Sequence, residues 1–477
     1  MPAAELKATD MSRVFPRPPD SGIEAEIRAT LRLALPLITG QVATMLTGVV
    51  ELVLAGHLGA HVLGAVAIGN SIWGMAVISM AGLMMAVSPS IAQLDGARRR
   101  GEAAPLFCQA LWLAGAVGIG AGLLLYFGGT PLARLTGISE ELLPDVAAFR
   151  HPASFAAPAI ILYFACRGLS EGLSLPRPTM LLGLLGLIAL VPIGYWLMYV
   201  LRLGAYGSGI ALAILCWLLF LGFAFLIVRS PRYRGLGWSR RGLRPDFRVI
   251  GGLLRFALPM AVNVMMEAGF FSAAGLEIGR FGDVAVSGNQ IAMSVSSVTF
   301  MMPMGLAMAI TVRVGNAVGR GDAAAVRRAG LVGIGLSLAT QALSCTLMLA
   351  LPGPIASIYS SDAAVLAGGV VLLQYAAAFQ FSDGIQVASN GALRGLKDAR
   401  VPMFLTAVSY WGVGMPIGWF LAFPGGWQAP GMWVGMIVGL SVAAVLLFSR
   451  FFLLSRRHVA SERGIGAPLG NKSRVRA

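Results

Sequence analysis

The stretch "LLRFALPMAVNVMMEAGFFSAAGLEIG", residues 253–279, decides the fold class of this chain. It is apolar over more than the roughly 20 residues that a helix needs to cross the hydrocarbon core of a bilayer. Apolar runs of similar length recur through the 477 residues, of which only 12% are charged and 57% are hydrophobic. Because soluble domains carry about 25% charged residues, the composition predicts a polytopic membrane protein.

Twelve apolar runs are long enough to cross a membrane as helices, so we expect an all-α fold. An even number of spans places both termini on the same side of the membrane. The predicted spans lie near residues 31–56, 62–90, 104–127, 146–166, 179–201, 206–228, 250–279, 285–312, 329–351, 364–393, 402–423 and 431–453.

Lysine and arginine are distributed unequally between the two sides of these spans. Of the 36 basic residues, 32 lie at the termini and in the even-numbered loops. The four on the other side are Arg134, Arg150, Arg202 and Arg280. The positive-inside rule then predicts that both termini are cytoplasmic. We expect the chain to lie in the cytoplasmic (inner) membrane. This orientation accounts for the net charge of +15, and we expect no nucleic-acid partner because no aromatic or glycine motif accompanies the arginines.

The second half of the sequence resembles the first. "LRLALPLITG" at 31–40 matches "LLRFALPMAV" at 253–262, and an offset of 223 residues pairs Pro36 with Pro259. Each half holds six spans, so both halves insert the same way round, and their pseudo-twofold axis runs along the membrane normal. Two such lobes enclose a cleft that opens to either side when the lobes rock. Receptors and structural membrane proteins also contain repeats, so the duplication alone supports transport only moderately.

A second match pairs "RGLSEGLSLPRP" from Arg167 with "RGLKDARVP" from Arg394. The repeat divides the chain into five parts by function and position. These are a cytoplasmic N-terminal segment 1–30, a first lobe 31–228, a basic cytoplasmic linker 229–247, a second lobe 248–455 and a basic cytoplasmic tail 456–477.

Three acids lie well inside predicted spans: Glu51, Glu267 and Asp383. A carboxylate at the centre of a membrane helix costs roughly 2.5–3.5 kcal/mol on insertion scales, so three of them indicate function. Glu267 follows Arg255 by twelve residues, and Asp383 precedes Arg394 by eleven. At about 1.5 Å per residue, both acids lie roughly 17 Å from the cytoplasmic face, near the membrane midplane.

Glu267 and Asp383 belong to the first and fourth helices of the second lobe, so they can meet inside one bundle. Two neighbouring carboxylates do not both stay charged without a counter-cation. We therefore predict that they bind a metal cation or take up a proton. The alternative is a structural hydrogen bond from a neighbouring serine or asparagine to a neutral acid. This alternative is stronger for Glu51, which lies nearer the outer surface.

Several other residues are predicted to line the cleft or to form ion pairs. We expect Gln41, Asn263, Met293 and Gln386 to line the substrate cleft. Glu277 is expected to form a salt bridge with Arg280, three residues later on the same helix. Loop ion pairs between the two halves on the cytoplasmic side are predicted for Arg167, Glu171, Arg394, Lys397 and Asp398.

Enzymatic activity has little support in this sequence. It contains no Walker lysine motif, HExxH motif, paired CxxC motif or Ser-His-Asp order. We therefore expect no enzymatic activity and no cofactor. The four cysteines lie in or beside apolar runs, where we expect free thiols rather than disulfides.

The quoted residues also carry a family resemblance. "GVVELVLAGHLG" (48–59), "SIAQLDGA" (90–97), "LPMAVNVMMEAGFF" (258–271) and "FSDGIQVASNGALRGLKD" (381–398) resemble segments of the multidrug and toxic compound extrusion (MATE) transporters, especially the NorM-like branch. The resemblance implies two six-helix lobes and export of organic cations in exchange for Na⁺ or H⁺. It also implies that Glu267 and Asp383 are the cation-site acids of helices 7 and 10.

The sequence departs from the family pattern at three places. Glu51 stands where the family usually has an aspartate in helix 1. Leu190 and Gly194 flank a proline of helix 5 where asparagines are common, which favours coupling in the second lobe. Phe379 replaces a frequent tyrosine and keeps an aromatic face that can contact a cation.

These observations favour a cation-coupled antiporter for small organic cations, with Glu267, Asp383 and Phe379 in the cation-coupling site and Glu51 in a secondary role. If the ion is Na⁺, Glu267 and Asp383 are its protein ligands. We expect membrane lipids around the chain and no obligate protein partner. A flippase for lipid-linked precursors, a receptor or assembly protein, and a pore are the alternatives.

Overall fold

A computed structural model describes residues 22–128, 142–238, 242 and 244–462 of the chain, with the side chains of 458–462 left out. Every regular element in these ranges is a helix. The predicted outer-side Arg134 and most of the two terminal segments lie outside the described residues. The all-α expectation is confirmed for the described part of the chain.

Within the described ranges, eleven continuous helices are long and apolar enough to cross a membrane, and one bent helix pair completes the twelve predicted spans. We number these spans α1 to α12. They are α1 Ile23–Gly56, α2 Ala60–Gly96, α3 Arg100–Gly128, α4 Leu143–Ser154 with Ala156–Gly172, α5 Arg177–Val200, α6 Gly204–Arg229, α7 Phe247–Phe281, α8 Asp283–Arg320, α9 Ala323–Ala350, α10 Ala363–Gly395, α11 Arg400–Ala422 and α12 Gln428–Arg457.

The bend in α4 has a local cause. Its two parts meet at 43° around Phe155. Pro158 follows in the next turn and has no N–H to donate to the Ser154 carbonyl, so the helical hydrogen-bond ladder is broken at this point. Helix α3 packs closely against the bend, because a Cβ on Gly122 of α3 would lie 2.9 Å from the Ser154 carbonyl oxygen.

Helices α1–α6 form the first lobe and α7–α12 the second. The core of the second lobe contains stacked Phe270 and Tyr410 rings with centroids 5.0 Å apart, beside the fully buried Trp433. The four cysteines are buried and free, as predicted.

Close glycine contacts join the two lobes in symmetric pairs. A Cβ on Gly82 of α2 would lie 2.8 Å from Ala261 of α7, and one on Gly305 of α8 would lie 2.5 Å from Ile38 of α1. Gly82 and Gly305 are 223 residues apart, and so are Ile38 and Ala261. The offset that relates the two halves of the sequence therefore also relates the two contacts, as a pseudo-twofold axis requires.

A second symmetric pair lies nearer the turns that follow α2 and α8. A Cβ on Gly96 would overlap the backbone of Asn316, and one on Gly319 would overlap the backbone of Gln93. Both relationships again repeat at an offset of 223 residues. Only glycine allows the two backbones to approach this closely, as at other small-residue helix interfaces in membranes.

Polar contacts complete this interface, which we call the junction. Arg313 of α8 donates two hydrogen bonds to the carboxylate of Glu26 of α1, at 2.8 and 2.7 Å. Gln93 donates to the carbonyl of Gly395 at 2.9 Å. These contacts lie at the end of the bundle where α1 begins and α2, α8 and α10 end, which we call the basic end.

Candidate cation and substrate site

Helices α7 and α10 bring two carboxylates to one cavity. Both helices start at an aspartate cap, because Asp246 and Asp362 accept backbone N–H donors of the first turn. Farther along, Glu267 on α7 and Asp383 on α10 line the same space of about 400 Å³ between the lobes, which we call the central cavity. The two acids chosen from sequence depth therefore meet at one site.

Neither acid has a partner among the described residues. No side chain donates a hydrogen bond to Glu267 or Asp383 there, and no basic group lies within 4.0 Å of either carboxylate. Asp383 is only 2% exposed. Two carboxylates facing one apolar-lined cavity repel each other, so this site favours a cation or a proton.

The acids alone do not make a complete metal site. No group of three His, Cys, Asp or Glu side chains that can hold a metal ion exists in the described ranges. A sodium ion held by Glu267 and Asp383 therefore needs neutral oxygen ligands as well. Asn263, Gln386 and Asn390 line the same cavity, and their side chains carry amide oxygens of the required type.

Five further residues chosen from the sequence lie around the central cavity. They are Gln41, Asn263, Met293, Phe379 and Gln386. Gln41 comes from the first lobe and the other four from the second. The cavity is thus bounded by both lobes, although most of its polar groups belong to the second.

The polar and aromatic residues that line the cavity differ in whether they already have hydrogen-bond or ring partners. Thr406 donates a short hydrogen bond to the side-chain oxygen of Asn263. Gln386 is fully buried, and neither its amide oxygen nor its amide nitrogen has a partner in the described part of the chain. Phe379 packs edge-on against Phe271 and Trp433, with ring centroids 5.8 and 5.9 Å apart. Gln386 therefore has free hydrogen-bonding capacity to offer a ligand.

Glu51 lies elsewhere, inside the first lobe. Its carboxylate accepts hydrogen bonds from Asn70 Nδ2 at 2.8 Å and from Ser208 Oγ at 2.7 Å, and it is 4% exposed. It does not line the central cavity. This arrangement matches the structural alternative, in which a buried acid is hydrogen-bonded by neighbouring polar side chains.

The predicted Glu277–Arg280 salt bridge is present, with an N–O distance of 3.2 Å. The predicted ion pairs between the halves are wrong. Arg167 pairs with Glu171 one turn along the same helix at 2.5 Å, and Asp398 pairs with Arg450 of its own lobe at 3.0 Å.

Lys397 and Arg394 also depart from that prediction. Lys397 lies in the turn after α10, where burial lowers the pKa of its ammonium group. Arg394 lies inside the last turn of α10 and lines the central cavity together with Asp383 and Asn390. These three residues follow one face of α10, because seven or eleven residues make about two or three helical turns. This spacing was the sequence signal for a functional arginine.

The packing also corrects the register of the repeat. A Cβ on Gly172 would lie 2.6 Å from Ile91, and one on Gly395 would lie 2.8 Å from Val314. Both relationships repeat at 223 residues, so Arg394 is equivalent to Glu171 rather than to Arg167. The matching "RGL" strings had suggested a register that is shifted by one helical turn.

Comparison with known proteins finds a family and close relatives. The MatE family model matches residues 36–196 and 259–420, one segment in each lobe. A probable multidrug resistance protein NorM from Xanthomonas campestris pv. campestris is 46% identical over 441 residues, covering 91% of this chain and 96% of the relative. Multidrug resistance protein PmpM from Pseudomonas aeruginosa is 38% identical over 445 residues, covering 92% and 93%.

Solved structures share the fold. The crystal structure of the eukaryotic MATE transporter AtDTX14 superposes with a TM-score of 0.85 at 20% identity, covering 94% of this chain and all of that one. A MOP superfamily transporter from Pyrococcus furiosus, described as having a binding pocket of reverse polarity, gives a TM-score of 0.84 at 18% identity, covering 91% and 97%. At these identities the comparison establishes the two-lobed fold alone.

Proposed function

This chain belongs to the MatE family of multidrug efflux transporters, and from that premise we propose that it exports organic cations in exchange for sodium ions or protons. The observation that carries the proposal is that Glu267 and Asp383 line one central cavity, with no basic group of the described residues within 4.0 Å of either carboxylate. The site needs one or more positive charges, and both a coupling ion and an organic cation supply them.

Competition between the coupling ion and the organic cation for the negative charge of Glu267 and Asp383 couples their transport. A cation bound at Glu267 and Asp383 removes the electrostatic attraction for a positively charged drug in the same cavity. Drug release then follows cation binding, either directly or through a shift of α7 and α8. An empty site attracts the drug again. Exchange therefore needs no ATP, because the gradient of the coupling ion supplies the driving force.

The junction supports a defined state in this cycle. The lobes are joined at the basic end, which the positive-inside rule assigns to the cytoplasm. The central cavity extends from this end, where Arg394 and Ala399 line it, to Glu267 and Asp383. We therefore interpret the structure as outward-facing, in the inner membrane with both termini cytoplasmic. The inward-facing state requires separation of Glu26 from Arg313 and of the paired glycine contacts.

A flippase for lipid-linked precursors is less favoured by the cavity. A phosphate-bearing lipid needs a basic cleft, and the central cavity has two acids and one arginine among its lining residues. Its net charge is therefore negative, which repels a phosphate group.

The test is dye efflux from proteoliposomes that contain the purified protein and a fluorescent organic cation. Sodium and proton pulses are applied separately from outside. We expect one of the two pulses to trigger efflux, which identifies the coupling ion. Protein-free liposomes and a pulse of choline chloride are the controls. A folded protein that responds to neither pulse contradicts the proposal.

A further inference from the structure

Arg394 is a buried cation in the wall of the central cavity. Its residue is 9% exposed, and its Nε is buried with no hydrogen-bond partner in the described part of the chain. One terminal nitrogen lies 3.7 Å from the sulfur of Met85, across the lobe interface. A guanidinium offers five N–H donors, so this one is poorly satisfied by protein groups.

The buried arginine of the first lobe, in contrast, has an acidic partner on its own helix. Arg167 donates to Glu171 at 2.5 Å and to Gln41 at 2.6 Å, so its charge is balanced by an acid on the same helix. The acid four residues after Arg394 is Asp398, and it pairs with Arg450 instead. Within the described ranges, no carboxylate lies within 4.0 Å of the Arg394 guanidinium.

The charge of Arg394 is therefore balanced across the cavity, chiefly by Glu267, with Asp383 about 16 Å away along α10 acting at longer range. A charge buried in a membrane protein is retained when it faces opposite charges or a polar cavity. Arg394 shares one face of α10 with Asp383 and interacts electrostatically with Glu267. These three are the charged residues that line the central cavity. With both acids ionised, the cavity has a net charge of −1.

A smaller neighbouring cavity does not change this net charge. It has a volume of about 270 Å³ and is lined by Arg167, Glu171 and Arg394. Arg167 and Glu171 neutralise each other at 2.5 Å. The closed end of the cleft therefore adds no net charge to that of the central cavity.

We propose that Arg394 is a fixed counter-cation that limits the Glu267–Asp383 site to one monovalent coupling cation per cycle. It is a specificity-determining residue: it supplies one of the two positive charges that the acids need, and the coupling ion supplies the other. This inference rests on the proposed exchange function, because it assigns the number of ions used by the same site.

The experiment titrates the coupling ion in the dye-efflux assay. We expect a Hill coefficient of about one for the wild type and a value approaching two for Arg394→Met, because the variant site has a charge of −2. The half-maximal ion concentration of Arg394→Met should fall about tenfold after loss of one nearby like charge. Arg394→Lys keeps the charge and should titrate like the wild type.

Two matched variants sharpen the result. Arg450→Met makes the same change outside the cavity, and its Hill coefficient should stay that of the wild type. Asp383→Asn combined with Arg394→Met restores a site charge of −1, and ion binding to this double variant should return to a single-ion curve. That curve is measured by equilibrium binding, since Asp383 itself belongs to the coupling site.

The outcomes separate the two proposals. A wild type that responds to no ion contradicts the exchange function itself. A responsive wild type together with a folded Arg394→Met variant of unchanged Hill coefficient and ion affinity overturns only the role of Arg394. If Arg394→Met does not fold, the wild type still decides: binding of one equivalent of sodium or proton per chain supports the role, and two equivalents refute it.

Discussion

Each lobe buries an acid within a membrane span, but the two acids differ in whether side chains donate hydrogen bonds to them. Glu51 of the first lobe receives hydrogen bonds from Asn70 and Ser208. Glu267 of the second lobe faces the central cavity with Asp383 and has no donor in the described ranges. Depth in the membrane therefore locates such acids, but their hydrogen-bond partners distinguish their roles. An acid whose hydrogen bonds are satisfied can be structural, whereas an unsatisfied pair is ready to bind a ligand.

The largest effect should come from removing the negative charge in one lobe and then in the other. Glu267→Gln should reduce ion-driven dye efflux to the level of protein-free liposomes, because the cavity loses a cation ligand. Glu51→Gln should keep most of the efflux, since Ser208 can accept a hydrogen bond from the new amide. Western blotting of the membrane fraction controls for insertion. Loss of efflux in Glu51→Gln alone would reverse the assignment of the two acids.

Stability should respond in the opposite order. Glu51→Leu leaves Asn70 and Ser208 without an acceptor in a buried position, which should cost about 2–4 kcal/mol of unfolding free energy. Glu267→Gln removes a charge without breaking a side-chain hydrogen bond, so it should leave the protein at least as stable as the wild type. Thermal unfolding in detergent measures both. Equal destabilisation by the two changes would contradict the contrast between the lobes.

The fold was more predictable from the sequence than the partners of its polar residues. Hydropathy located twelve spans, because each must be apolar over a bilayer thickness whatever its neighbours. Glu267 and Asp383 could be brought together because their depths were readable from Arg255 and Arg394. Asn70 and Ser208 could not be assigned to Glu51, since they lie 19 and 157 residues away and many other polar residues have comparable depths.

Arg394 shows a second limit. The string "RGL" occurs at Arg167 and at Arg394, and the match suggested that the two arginines are equivalent. Helix packing depends instead on which residues allow close approach, and Gly172 and Gly395 define that register. A one-turn shift keeps a residue on nearly the same helix face, so sequence periodicity alone does not reveal the error.

Where the lobes are alike, substitutions should have equal effects. Gly96→Ala and Gly319→Ala each place a methyl group against the facing backbone, and each should disfavour the closed junction by about 1–3 kcal/mol. Distances between spin labels on the two lobes report the shift toward separation. Gly335→Ala is the control, because a Cβ there meets no atom within 4 Å. Markedly unequal effects would show that the junction is not symmetric in energy.

The smallest effect is expected at Phe379. Phe379→Tyr keeps the ring between Phe271 and Trp433 and adds one hydroxyl group at the cavity. The half-maximal coupling-ion concentration should change by less than about threefold, or about 0.6 kcal/mol. An ion titration of dye efflux measures the change. A tenfold gain in affinity would make a hydroxyl ligand at this position a major part of the site.

The paired glycine contacts of the junction have a kinetic consequence. A tilt of the lobes that separates Gly82 from Ala261 also separates Gly305 from Ile38, because one axis relates the two contacts. We therefore expect opening to be all-or-none, without a long-lived half-open intermediate. The Glu26–Arg313 pair has no counterpart, since Val249 and Ser90 occupy the equivalent positions. In the proposed exchange cycle, its rupture would add a single electrostatic barrier to each turnover, so this one pair is a point where the rate of cycling can be changed without altering the binding site.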